Sequence, residues 1–380
     1  LGYWEYDNEW GLDVDGGPDA ILNTFLFDEY DQTTAEIRVL SPTDQTFEYI
    51  AGAWYQDSSL TTQQYSPFDP IFWDAVGVPD FVPRAPYPSG MDRNFERDSD
   101  AYSVYGQLTW NVSERFRAIF DVRYTDEEQD GTGWSYQAVF PDARNPEPWN
   151  GHPAPGFNAN YRFDQTREDD STDPSLRLQY DIGDDAMIYG VYATGSKAGG
   201  LKANDGSLGN QLLAACADPA WCQRYTGQSV MPPEQMAAGI NLKQENGVFD
   251  FEDEESETLE AGLKMGLLEG RATLNVAVYK TEFDNLQTSS YDGTQFIIQN
   301  AASADVQGFE VEGTWMVSQY IRLAGSMAYV DAEYDEFMGA QCNVDGSNQP
   351  VDPDCIDGEQ DKTGERLERV PEWEANITAD

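Results

Sequence analysis

The sequence is short of positive charge. Against 69 Asp and Glu it carries 22 Lys and Arg and one histidine, a formal net charge of −47. A chain so acidic repels nucleic acid and suits cations or a saline medium. The single histidine, His152, argues against a zinc centre and against haem capture, because both draw on imidazole ligands. It also gives no Ser-His-Asp arrangement: His152 lies in the Pro-rich stretch HPAPG, and no GxSxG nucleophile motif accompanies it. No catalytic residue is expected. Long hydrophobic runs are missing as well, none approaching the ~18 consecutive apolar residues of a membrane helix. Cysteine is scarce. The four fall as two close pairs, Cys216/Cys222 and Cys342/Cys355, each within one polar stretch and without a CxxC spacing. That pattern predicts two local disulfides formed in an oxidising compartment.

Aromatic residues are abundant, with 21 Tyr, 18 Phe and 10 Trp, while the mean hydropathy is −0.61. Bulky aromatics on a hydrophilic average argue against disorder. The acids are clustered: residues 1–37 and 245–260 contain no Lys or Arg at all. Such stretches read as solvated loops. The segment DPDCIDGEQD (352–361) offers Asp352, Asp354 and Asp357 as calcium ligands, but without EF-hand spacing. A structural calcium there is the only cofactor this sequence suggests, and a solvated, disulfide-clipped loop is the simpler account.

Hydrophobicity recurs at period two. Leu259, Ala261, Leu263, Met265 and Leu267 share one face and Glu260, Gly262, Lys264 and Gly266 the other; residues 101–112, 115–127, 306–317 and 320–332 repeat the arrangement. This predicts strands with one apolar and one polar face. Short turns at 41–45, 111–115, 181–185, 268–271 and 317–320 alternate with long irregular stretches near 9–30, 58–98, 128–172, 198–250 and 335–365. A soluble glycan-binding β-sandwich shows the same alternation, yet rarely carries several such loops. Runs of about ten residues or more, with aromatics near their ends (Trp110, Tyr124, Tyr279, Phe283, Trp315, Tyr329, Tyr334), favour an antiparallel transmembrane β-barrel with short periplasmic turns and long extracellular loops. The pattern yields about 13 strands, including 294–301 and 366–380.

Several stretches, in order, resemble the barrel of the TonB-dependent receptors of the Gram-negative outer membrane. They are AEIRVLSP (35–42) with FEYIAGAWYQD (47–57), SVYGQLTWNVSERFRAIFDVRYTDEEQD (103–130), MIYGVYATGSKAGGLKAND (187–205), ETLEAGLKMGLLEGRATLNVAVYKTEFDNLQ (257–287), NAASADVQGFEVEGTW (300–315), AYVDAEYDEF (328–337) and GERLERVPEWEAN (364–376). Asp121 departs from the small residue common in that family, and Ser196 from its usual aromatic. The resemblance implies that residues 1–380 are one barrel domain, part of a barrel of about 22 strands, with the plug domain not present in this stretch. It further implies an outer-membrane receptor that takes up a scarce nutrient with energy from a TonB-type coupling protein reached through the plug. An iron–siderophore complex is the leading substrate, with oligosaccharide, cobalamin or a passive porin role as alternatives. Expected partners are outer-membrane lipid, the coupling protein and a small-molecule ligand. For ligand contact the loops offer Trp134, Tyr136, Trp149, Trp221, Tyr225, Tyr291 and Phe296 as stacking groups, and Arg84, Arg93 and Arg144 as the few bases available to an anionic ligand.

Overall fold

A strand that alternates apolar and polar residues stays marginal until its ladder and its apolar face are both satisfied. The structure, a computed structural model, describes residues 1–13, 23–68, 89–139, 159–202, 249–291, 296–300, 303–342, 351–353, 355 and 359–380. In chain order its strands are β1 (Gly2–Asp13), β2 (Asn23–Leu40), β3 (Phe47–Phe68), β4 (Ser89–Asn111), β5 (Phe116–Val139), β6 (Ala159–Asp181), β7 (Ala186–Lys197), β8 (Gly200–Leu201) and β9 (Asp250–Phe251). They continue with β10 (Glu254–Leu267), β11 (Ala272–Asp284), β12 (Gln287–Tyr291), β13 (Phe296–Asn300), β14 (Ser303–Ser318), β15 (Ile321–Glu336), β16 (Ala340–Gln341), β17 (Glu359–Gln360) and β18 (Trp373–Ala379). Twelve form one antiparallel sheet in the order β1-β2-β3-β4-β5-β6-β7-β10-β11-β14-β15-β18. β8-β9, β12-β13 and β16-β17 are separate two-stranded sheets.

Short turns close one end of the sheet, and the long connections lie at the other. In the β10–β11 turn, Leu268, Glu269 and Gly270 all adopt positive φ (55°, 56° and 82°), so the reversal takes place at the predicted Glu-Gly. The outer face is apolar: Ile37, Leu259 and Val278 are exposed on it, with no second sheet among the described residues to cover them. Each such side chain gains about 1.5–3 kcal/mol on leaving water, so the face demands lipid rather than a sandwich partner. Aromatic pairs bound the band. Phe47 stacks on Trp110 near the turns (ring centroids 6.0 Å apart), and Tyr55 meets Tyr102 on the loop side (4.9 Å).

Several expectations are corrected by the strand lengths. The sheet has twelve strands rather than thirteen, because 296–300 pairs with 287–291 in a separate hairpin. The last strand begins at Trp373, not at 366. β3 to β6 run well into the stretches read as irregular, 58–98 and 128–172. There the outer face turns polar, so the hydrophobic period fades although the ladder continues. The girdle assignment also fails for three aromatics: Tyr279 and Phe283 lie on the polar face of β11, and Tyr334 is buried with Phe337, Ala304 and Ala340.

Buried side chains gather where the small two-stranded sheets meet the wall. Phe95, Phe163, Leu201 and Phe249 form one cluster, with Phe163 stacked on Phe249 at 4.4 Å. Gln287 and Asn300 tie the loop-side connections together. Gln287 Nε2 donates to the carbonyls of Ala198 (3.0 Å) and Glu252 (3.1 Å), and Asn300 Nδ2 to those of Glu252 (2.9 Å) and Asn285 (2.8 Å).

Candidate functional site in the loop-side vestibule

Polar side chains on the inner face are held by cross-strand hydrogen bonds. Asp121, the departure noted above, accepts from Gln107 on β4 (2.5 Å) and from Ser175 on β6 (2.9 Å). An aspartate is stable here because both neighbouring strands supply donors. Asn275 donates to Glu312 (2.7 Å), and Tyr189 to Glu260 (2.7 Å) with Lys264 above its ring.

Above this belt the wall opens into a cleft of about 410 Å³, lined in part by Trp54, Arg123, Glu127, Asp169, Asp173 and Asp253. The Arg123 guanidinium lies 5.5 Å from the centre of the Trp54 ring and donates to Ser103 Oγ (2.9 Å). Glu127 accepts from Ser99 and Gln129, both at 2.8 Å, and Asp173 accepts from Ser196 (2.7 Å). Arg167 donates to both oxygens of Asp169 (2.6 and 2.5 Å) and to Asp253 (2.7 Å). Burial, reinforced by the adjacent Asp253 carboxylate, holds Asp169 up at about 6 against the opposing pull of Arg167. Carboxylates therefore outnumber guanidinium groups around the cleft, and the site favours ligands bearing positive charge or hydrogen-bond donors. A larger cleft of about 680 Å³ sits at the turn end, between Arg115, Asp184, Asp185 and Lys264.

The structure distributes the sequence candidates unevenly. Trp134 lies on β5 at the same parity as Tyr124, hence on the outer side. Tyr136 is on β5, and Tyr291 and Phe296 are paired across the β12–β13 hairpin. Arg93 is buried on the inner face of β4. Trp149, Arg144, Trp221, Tyr225 and Arg84 lie outside the described residues. So do Cys216 and Cys222, while Cys342 and Cys355 form a disulfide as expected. Of the calcium candidates Asp352 is described; Asp354 and Asp357 are outside the described residues. Sequence reasoning missed Trp54, whose inner position follows from its pairing with Ser103, and also Trp4, Tyr6 and Tyr30.

The sheet is a meander of long antiparallel strands, apolar outside and hydrogen-bonded inside. The family model described as "TonB dependent receptor-like, beta-barrel" matches residues 2–380. The chain belongs to this family. It is thus an outer-membrane barrel wall, its short turns periplasmic and its long loops extracellular. The ferric yersiniabactin uptake receptor FyuA of Yersinia pestis superposes with a TM-score of 0.61 at 16% identity, over 99% of this chain and 42% of FyuA. The siderophore receptor PiuA of Acinetobacter baumannii gives 0.57 at 15% identity, over 99% and 48%. The metal-pseudopaline receptor CntO of Pseudomonas aeruginosa is 36% identical over 85 residues, 22% of this chain and 12% of that protein. The chain spans less than half the length of each.

Proposed function

We propose that this wall belongs to an energy-coupled receptor that captures a scarce metal chelate, foremost an iron–siderophore complex, and passes it into the periplasm. The loop-side vestibule takes the ligand, and a TonB-type partner acting through a plug domain drives its release. The protein works as receptor and transporter rather than as an enzyme. The observation that carries this reading is the family match across the wall, joined to a polar cleft, with the Trp54 ring in its lining, at the end where an external ligand arrives. The likeness to FyuA, a ferric yersiniabactin uptake receptor, PiuA, a siderophore receptor, and CntO, a metal-pseudopaline receptor, supports the substrate class. The test is accumulation of radiolabelled ferric chelate in cells with and without the gene. Uptake is expected to need the gene and to collapse with a protonophore. Unchanged iron uptake, with loss of oligosaccharide or cobalamin uptake instead, would overturn the substrate class.

A further inference from the structure

On β1 the usual distribution of side chains is reversed. Glu5, Asp7 and Glu9 take outer positions, and Trp4, Tyr6 and Trp10 take inner ones. The ladder fixes this phase: Gly2 pairs with Thr34 and Thr34 with Gln56, and Gln56 lines the vestibule cleft. Trp4, Tyr6 and Tyr30 form a three-ring cluster, with centroids 5.2, 5.4 and 5.5 Å apart. Trp4 remains 57% exposed and Tyr6 36%. Lipid does not reach the inner face, so rings that the described residues leave open there face the lumen, where a ligand can pack on them. Gln32, opposite Trp4, donates to Gln56 (2.6 Å), which makes the ring patch continuous with the acidic cleft.

The electrostatics select the occupant. On the inner face of β1 and β2 the charged side chains are Asp28, Glu36 and Arg38, with Arg38 on the turn side of Glu36 and away from the rings. Toward the loops, the nearest inner-face guanidinium among the described residues is Arg97, two strands from Tyr30 across Leu60. Ring faces and carboxylates both attract cations, and an anion meets no base on β1 to β3 at this level. We propose that Trp4, Tyr6 and Tyr30 form a stacking platform for a positively charged, ring-bearing part of the ligand. The platform rests on the receptor reading of the same vestibule and adds to it the charge of the cargo.

Calorimetric titration of the full-length protein in detergent tests this, with benzyltrimethylammonium, benzyl alcohol and benzoate as probes. The cation is expected to bind on the order of tenfold more tightly than benzoate at low salt. The double variant Trp4→Ala/Tyr30→Ala should weaken the cation about tenfold, two ring contacts' worth. Trp4→Phe/Tyr30→Phe should keep most of the affinity, which separates loss of the rings from loss of the fold. Tyr3→Ala, on the outer side of the same strand, should change nothing. Equal binding of benzoate, an unaffected alanine double variant, or no binding by any probe would each overturn the platform. Loss of ferric uptake on gene deletion would leave the receptor reading standing in those cases, and probe binding without uptake would do the reverse.

Discussion

Tyr189 shows what one side chain contributes to this wall. Its ring lies over Gly262 on the adjacent strand, where an added Cβ would sit 2.4 Å from Tyr189 Cζ, and its hydroxyl donates to Glu260. Tyr105 covers Gly52 and donates to Glu36 in the same way. Glycine is needed for the close approach of the ring, not for turning the chain. Gly262→Val is expected to cost about 1–3 kcal/mol by overpacking, read as a lower unfolding midpoint in detergent. Combined with Tyr189→Ala, its effect should be less than additive, because the clash goes with the ring. Full additivity would mean the ring does not press on that position. Asp169 provides the pH dependence at this scale. Its folded value near 6 exceeds that of an ordinary carboxylate, so its ionised form is the disfavoured one in the folded wall. Stability of the β6–β9 contact should therefore rise as pH falls from 7 toward 5. Asp169→Asn should flatten that rise in thermal unfolding, and a wild-type protein that loses stability over this window would contradict the assignment.

At the scale of elements, the strands outrun the membrane. Above the Tyr55–Tyr102 pair the outer face changes from apolar to acidic, and Asp57, Asp100, Glu128 and Glu168 stand side by side on β3, β4, β5 and β6. Adjacent strands are about 4.8 Å apart, so these like charges repel and need screening. Thermal stability in detergent should climb as NaCl increases from about 0.05 to 0.5 M, and Asp100→Asn/Glu128→Gln should reduce the slope. A slope unchanged in that variant would place the salt effect elsewhere. The same change of face explains what could be read beforehand. β7 was predicted at 186–197 and found there, because its outer residues stay apolar along most of its length. β5 continues to Val139, beyond its predicted end, because Asp126, Glu128 and Asp130 hide the period while the backbone bonds persist. The five turns were legible because each joins two strongly periodic arms.

For the whole molecule, the wall was legible and its ligand surface was not. Alternation identifies a strand but leaves open which parity faces inward until its neighbours are aligned. Trp4 and Tyr6 alone would pass for a lipid-facing stripe, and only the register through β2 and β3 turns them toward Gln56. The vestibule likewise joins Trp54, Arg123 and Asp169 from strands far apart in sequence. The most direct test of this architecture is single-cysteine labelling along β10 in membranes, read against the parent protein. Glu260→Cys and Lys264→Cys should react with a water-soluble maleimide, while Leu259→Cys and Leu263→Cys should react only with a lipid-soluble one. Uniform labelling at all four positions, or the opposite alternation, would contradict a wall with lipid on one side and a wet lumen on the other.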